Sequence, residues 1–496
     1  MDAAKKPNIL FIMCDQMRGD CLGFAGHPDV KTPYLDSIAG QGTWFPNAYS
    51  ACPSCVPARA ALFTGLAPEH HGRVGYRDGI AWDYPHMLPR EMNLLGYQTE
   101  CIGKMHVHPP MRRCGFETLQ LHDGTLGCYR HPDDPARLQQ ARHDRYLRFL
   151  RRQEGADADV TDPGLDNNSW IVRPWPYRES SHPTNWAASQ TIEAIRDRDP
   201  DRPFFLMTSF VRPHPPLDAP ACYLEPYLNR ELAAPAAGDW DDPAATEAEG
   251  WMYDSLRGCR DPEQRRRAMA GYYACISHMD MQIGRILQVL YEENILEDTI
   301  IVFTSDHGEM LFDHSLFRKA LPYQGSIRIP LLVRIGKNLP GGPEQPRVCR
   351  QLVELQDLMP TFLSLAGGQP DFAMDGLDLT AYLRQPEAKG RQLLFGEHAY
   401  GALSSQFVVT ERDKLVWFSQ SGRFQYFDLA ADPREEHDLF GQPEHAARIE
   451  TLRQALTDHL RDRPEGYVQN GCLTAGCTPV DSLPILQEYA AGRNES

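Results

Sequence analysis

The sequence predicts an α/β fold, in which a mostly parallel central sheet is sandwiched by helices and followed by a smaller C-terminal α+β subdomain with an antiparallel sheet. Three observations carry that reading. Five short runs rich in apolar residues, "NILFIMCD" (8–15), "TECIGK" (99–104), "PFFLMTSF" (203–210), "TIIVFTSD" (299–306) and "IPLLVRI" (329–335), alternate with helical patterns. Several of them end in polar residues, Asp15, Lys104, and Asp306 with His307. In open parallel sheets, ligands collect at the carboxyl ends of strands. From about residue 390 the pattern changes: "RQLLFGE", "QFVVTERDKLVWFS" and "RFQYFDL" alternate as antiparallel strands do, and a polar helix follows near 443–462. The expected division is a large domain over 1–385 and a C-terminal subdomain with its tail over 386–496.

The first run follows Met-Asp-Ala-Ala-Lys-Lys-Pro directly. It is too short for a signal-peptide core and no small-residue cleavage pattern follows it, so it reads as a buried strand. A chain starting at Met1 is therefore expected in the cytoplasm, and one trimmed of a leader in the periplasm or outside the cell. A helix is expected near 33–41. The segment 155–187, containing "NNSWIVRPWPYRESSHPTNW", is rich in Pro, Trp and Arg and reads as an ordered loop insertion.

The 496 residues are 42% hydrophobic and 24% charged, with no apolar run near the length of a membrane span. The net charge of −17 argues against a broad nucleic-acid footprint. Neither nucleic acid nor a membrane is expected as a partner, and homo-oligomerisation is left open. Thirteen cysteines, an odd number without a framework, fit reduced thiols better than a disulfide scaffold.

Two of those cysteines stand in "ACPSCVPARAALFTG". The Cys52–Cys55 spacing suits a redox pair or half a zinc site, yet a redox motif wants a thioredoxin-like context and zinc wants a second pair. Cys52 reads as an inert buried thiol. Cys55 differs, because Pro57 and Arg59 follow it and place it at a helix amino terminus. Free N–H groups and the helix dipole favour an anion there, and Arg59 can turn back to grip an oxyanion bidentately.

Cys-x-Pro-x-Arg followed by an apolar run and Thr-Gly resembles the signature of the type I sulfatases, members of the alkaline phosphatase-like superfamily, and the resemblance extends over nearly the whole chain. It implies that Cys55 is oxidised after translation to formylglycine by a maturation enzyme, and that the hydrated aldehyde is the nucleophile. It also implies a divalent cation, Ca2+ first with Mn2+ or Mg2+ as alternatives, held by Asp15, Gln16, Cys55, Asp306 and His307. Gln16 stands where many members carry a second Asp, and Ala58 where many carry Ser. "IGKMHVH" resembles the family's Gly-Lys-x-His, so Lys104 would hold sulfate or the diol and His106 would help collapse the sulfated intermediate. By the same resemblance, His214 of "RPHPP" contacts sulfate or protonates the leaving oxygen, and Lys319 of "FDHSLFRK" binds sulfate.

The implied function is hydrolysis of a sulfate ester with release of inorganic sulfate. The phosphonate monoester and phosphodiester hydrolases are the nearest rival. They share Asp-Gln, Cys-x-Pro-Ala-Arg, Arg-Pro-His-Pro-Pro and Asp-His-Gly with this chain, but tend to lack the lysine matching Lys104. A catalytically silent binding protein on the same fold is the reading from another class. The expected substrate is a small sulfated carbohydrate, because Trp170, Arg173, Trp175, Tyr177, Arg178 and His182 of the insertion offer aromatic faces and guanidinium groups. Glu397 and His398 are weaker substrate-binding candidates.

Overall fold

The computed structural model describes residues 6–123, 144–241, 255–257, 261–343 and 345–492. Strand β1 (Asn8–Asp15) shows why the chain folds in layers, since all eight of its residues are buried. Its side chains alternate between two cores. Leu10, Ile12 and Cys14 pack into one core with residues of helices Pro33–Ala39, Pro183–Arg196 and Pro262–Glu292. Ile9, Phe11 and Met13 enter the other core with residues of helices Cys55–Thr64, Leu88–Leu94 and Leu358–Leu365. A continuous apolar run covered on both faces is the signature that predicted the sandwiched sheet.

The remaining strands of the large domain are β2 (Thr43–Trp44), β3 (Ala48–Tyr49), β4 (Gln98–Gly103), β5 (Thr118–Leu121), β6 (Phe204–Pro213), β7 (Thr299–Ser305), β8 (Arg328–Ile329), β9 (Leu331–Ile335), β10 (Arg347–Val348) and β11 (Val353–Glu354). Eight strands form one sheet in the order β10-β2-β9-β7-β1-β6-β4-β5. The five strands from β7 to β5 are mutually parallel, and β9 alone runs against its neighbours. The run "IPLLVRI" is not a single strand. Pro330, which has no N–H to give a ladder, separates β8 from β9, and β8 joins β3 and β11 in a small sheet of its own.

Strands β12 (Leu394–His398), β13 (Ser405–Val409), β14 (Lys414–Phe418) and β15 (Phe424–Phe427) form the antiparallel C-terminal sheet. Val408, Leu415, Trp417 and Tyr426 pack on Leu452 and Leu456 of helix Ala446–His459. The other face packs Phe407, Val409, Val416 and Phe427 against Tyr49, Leu321, Tyr323 and Ile327 of the large domain. Among the described residues, no helix is long and apolar enough to cross a membrane.

Strand β12 also ties this sheet to the segment before Cys55. The Glu397 N–H donates to the Ala51 carbonyl at 2.8 Å, and His398 Nε2 lies 2.8 Å from the hydroxyl of Ser54. Arg463 closes on Glu397 with two hydrogen bonds of 2.5 and 2.8 Å, both side chains nearly buried, and reaches Glu465 at 2.6 Å. Glu397→Ala is expected to cost about 3 kcal/mol, the low end for breaking a buried pair because Glu465 remains. Chemical unfolding should show that loss.

Burial depresses His71 and His398 to about 3, so both rings are neutral in the folded chain. Below about pH 6.5 the unfolded chain binds a proton at each ring that the folded chain refuses. Stability should therefore fall as the pH drops from about 6.5 toward 3, by up to about 1.4 kcal/mol per pH unit per ring. His398→Asn should flatten that slope in denaturant titrations, and an unchanged slope would contradict the assignment.

Candidate active site

Four adjacent parallel strands deliver polar side chains to one place. Asp15 ends β1, Lys104 follows β4, His214 follows β6, and Asp306 with His307 follows β7. Gly103 makes the second delivery possible: its φ is +94°, and a Cβ there would lie 2.0 Å from the Ser209 carbonyl oxygen. That close approach lets the Lys104 N–H donate to the same carbonyl at 2.8 Å.

Helix Cys55–Thr64 brings in the sixth side chain. Ser54 is its N-cap, Cys55 its first residue and Gly65 its left-handed C-cap. The Cys55 sulfur lies 3.5 Å from His307 Nε2, 3.7 Å from Lys104 Nζ and 3.8 Å from Asp15 Oδ1. Ligand atoms of Asp15, Cys55, Asp306 and His307, all buried, fall within 4.8 Å of one another. Carboxylate oxygens, an imidazole and a fourth donor so close together form a set that suits a divalent cation.

The electrostatics favour negative charge at position 55. Burial and the neighbouring Asp15 push the Cys55 thiol up, but Lys104, Lys319 and the nearby His106 outweigh them and hold it well below its ordinary value. Asp15 is likewise held well down, because Lys104, His214 and His307 outweigh the cost of its burial. Lys104 Nζ lies 2.5 Å from Asp15 Oδ2, and that carboxylate keeps the buried ammonium charged. Asp306 moves the other way, raised by burial and by Asp15.

Arg59 braces this cluster. Its Nε donates to Asp306 Oδ2 at 3.0 Å, and its Nη1 to the Lys104 carbonyl at 2.6 Å and to Ser209 Oγ at 3.1 Å. Only Nη2 is left without a hydrogen-bond partner, so the expected bidentate grip on an oxyanion is corrected. Lys319 donates to Gln16 Oε1 at 2.6 Å, His214 Nε2 at 2.8 Å and Asn168 Oδ1 at 3.3 Å. The Gln16 amide, expected among the metal ligands, lies between Lys319, from which its Oε1 accepts, and Glu309, to which its Nε2 donates. His214 gives Nδ1–H to the Pro215 carbonyl at 2.7 Å, leaving Nε2 as an acceptor. His106 lies beside Cys55 with its Nε2 3.2 Å from Asp78 Oδ1.

The substrate-binding set predicted in the insertion folds differently. Trp170 and Trp175 are core residues, 4% and 6% exposed. His182 is fully buried, 3.4 Å from Asp218, and caps helix Pro183–Arg196. Arg173 donates to the Pro163 carbonyl, and Arg178 pairs with Glu154. Glu397 is occupied by Arg463, and His398 supports Ser54 beneath the helix start. The insertion instead supplies Asn168, whose φ of +63° suits its residue type. Asn168, Asp78, Asp123 and Glu309 escaped the sequence reading; a short polar residue in a turn carries no spacing that distinguishes it from a cap. The described cysteines are all free thiols, Cys52 among them.

Comparison with known proteins agrees with this geometry. The Sulfatase family profile matches residues 7–368, and that of the N-sulphoglucosamine sulphohydrolase C-terminal region matches residues 312–462. An arylsulfatase of Clostridium perfringens is 44% identical over 97% of this chain and 100% of its own length. The multifunctional alkaline phosphatase superfamily protein PehA of Trinickia caryophylli is 26% identical, covering 93% of this chain and 98% of its own. The crystal structure of the phosphonate monoester hydrolase of Agrobacterium radiobacter superposes with a TM-score of 0.76 at 26% identity, covering 91% of this chain and 95% of that one. On the profile that spans its large domain and a relative alike from end to end, the chain belongs to the sulfatase family, hydrolases of sulfate esters.

Proposed function

We propose that the chain hydrolyses small sulfate esters through residue 55, after a maturation enzyme has oxidised Cys55 to formylglycine. The observation that carries this reading is the environment of Cys55, at the first turn of a buried helix with Lys104 and Lys319 both favouring its anionic form. A site built to stabilise negative charge on residue 55 suits a diol oxygen that attacks sulfur. Asp15, residue 55, Asp306 and His307 would hold a divalent cation, Ca2+ by the oxygen-rich donor set. Once bound, such an ion acts as a Lewis acid toward the ester and the diol.

The chain's own residues account for the other demands. Lys104, kept charged by Asp15, presents a fixed positive charge to the sulfate oxygens. Lys319 and His214 share a proton along a 2.8 Å hydrogen bond, and burial lowers both groups, which makes the pair a willing donor to the leaving oxygen. Attack forms an O–S bond from residue 55 and breaks the ester's S–O bond. His106 then accepts the proton of the remaining hydroxyl as the C–O bond to sulfate breaks, which restores the aldehyde. Because the insertion's aromatic and guanidinium groups are buried or engaged, they do not single out a sugar over other small sulfate esters; of that loop, Asn168 reaches the site through Lys319.

The phosphonate and phosphodiester reading is favoured by Gln16 after Asp15 and by the likeness to the Agrobacterium radiobacter enzyme. Lys104, placed at Asp15 and Cys55, favours sulfate. An aryl sulfate is expected to give the larger kcat/KM when compared with a phenyl phosphonate ester, and the reverse order would overturn the choice. Mass spectrometry of the native-host protein should show the Cys55 peptide about 18 Da lighter, as a thiol becomes an aldehyde. An unconverted thiol there would leave the silent-binder reading standing.

Removing the cation should abolish turnover, and restoring Ca2+ at about 100 times its Kd should add about 2.7 kcal/mol of stability. Asp306→Asn should lose that increment in thermal melts with and without Ca2+. An equal increment in the variant would place the cation elsewhere.

A further inference from the structure

The loop "GYRDG" (75–79) carries three side-chain contacts that the mechanism above does not use. Asp78 is solvent-accessible, its side chain 61% exposed, yet both of its oxygens are engaged by neighbouring side chains. Oδ1 lies 3.2 Å from His106 Nε2, and Oδ2 accepts the Tyr76 hydroxyl at 2.5 Å. The Tyr76 ring stands edge-on to the His106 ring with centroids 6.1 Å apart, so the three side chains close a triangle. The loop itself is held in place: Gly75 bridges to Ala399, and Arg77 pairs with Asp481 at 3.2 Å.

His106 needs such support. Its backbone is left-handed, with φ +60°, a conformation uncommon outside glycine. The Met105 and His106 N–H groups both donate to Asp123 Oδ1, at 2.8 and 2.9 Å, which fixes the main chain. The ring is fixed separately. With Nε2 given to Asp78, the buried Nδ1 is left with no hydrogen-bond partner, on a ring two residues from Lys104, whose Nζ lies 3.7 Å from the Cys55 sulfur. A solvated surface turn would not aim both carboxylate oxygens inward, one at an active-site imidazole and the other at a tyrosine that itself packs on that imidazole.

We infer that Asp78, supported by Tyr76, is the positioning residue for His106: by accepting Nε2–H it fixes the ring's orientation and tautomer so that Nδ1 faces residue 55 in the second half of the reaction. A carboxylate that orients an imidazole in this way is a recurrent device for general bases. The inference rests on the formylglycine reading. In that half-reaction Nδ1 takes the proton of the unsulfated hydroxyl, the oxygen's electrons form the C=O bond, and sulfate departs with the electrons of the C–O bond. Asp78 therefore acts after the ester's alcohol has left, not before.

The test is pre-steady-state kinetics of the cation-loaded, matured enzyme on an aryl sulfate, with an aryl phosphonate ester in parallel. Asp78→Asn should lower kcat about ten- to hundred-fold and KM with it, leaving kcat/KM within about threefold. It should also produce a burst of phenol stoichiometric with enzyme ahead of slow sulfate release. Asp78→Glu should recover part of kcat, and Tyr76→Phe should show the same pattern more weakly. An Asp78→Asn enzyme that melts as the wild type does but keeps its kcat, or that loses kcat/KM without a burst, would overturn the inference while leaving the sulfatase reading intact. Wild-type enzyme inert on both esters would overturn both.

Discussion

Two carboxylates buried side by side at the ends of neighbouring strands are the constraint on which the rest of the site depends. Asp15 and Asp306 are both fully buried, and each would raise the other's pKa if left alone. The fold answers with Arg59 on Asp306, Lys104 on Asp15, and His307 close to both. Lys319 adds a further cation beside His214. Arg59, Lys104 and Lys319 thus set three cationic side chains around the two carboxylates, within a chain of net charge −17. That contrast makes an anion-binding site stand out from an acidic surface. The carboxylates are tolerated because cations surround them, and the same cations are what an incoming sulfate would meet.

Topology explains how side chains separated by some 300 positions in sequence meet at all. Strands β4, β6, β1 and β7 lie next to one another and run in parallel, so their carboxyl ends open on one edge. Each contributes one polar group at or just past its last residue, and β7 contributes two, Asp306 and His307. The proposed nucleophile comes from a helix whose first residue touches that edge, so the helix dipole and the strand-end cations act on the same atom.

This arrangement decides what could be read from sequence. Strand-end residues were legible because a buried apolar run that closes on Asp or Lys must bring that charge to a partner or a ligand. The helix start at Cys55 was legible from Pro57 and Arg59. Orientation was not. Arg59 has five donors, and nothing in its spacing says that two of its nitrogens brace Asp306, Lys104 and Ser209 instead of facing a ligand. Composition misled in the insertion for a similar reason. Tryptophan and arginine suit a sugar face and a folded loop equally well, and here Trp175 is buried with its indole N–H on the Arg178 carbonyl. Asn168 and Asp78 gave no signal, since their roles come from three-dimensional neighbours 151 and 28 residues away in the chain.

The two lysines differ in a way that gives the site a direction. Lys104 is gripped by Asp15, so its charge is permanent, and it lies on the Cys55 side with His106. Lys319 is depressed by burial and bonded to neutral acceptors, Gln16, His214 and Asn168, so its proton is the more easily shared. One side of the site holds charge while the other can deliver a proton. An ester bound between them would point its departing oxygen toward Lys319 and His214, and its alcohol portion toward Asn168 and the insertion. Discrimination among sulfate esters then belongs to the insertion's Asn168 side, whereas the Asp78–His106 side deals with residue 55 after the alcohol has gone. Loop residues could thus change substrate preference without disturbing the carboxylate and cation cluster at the strand ends.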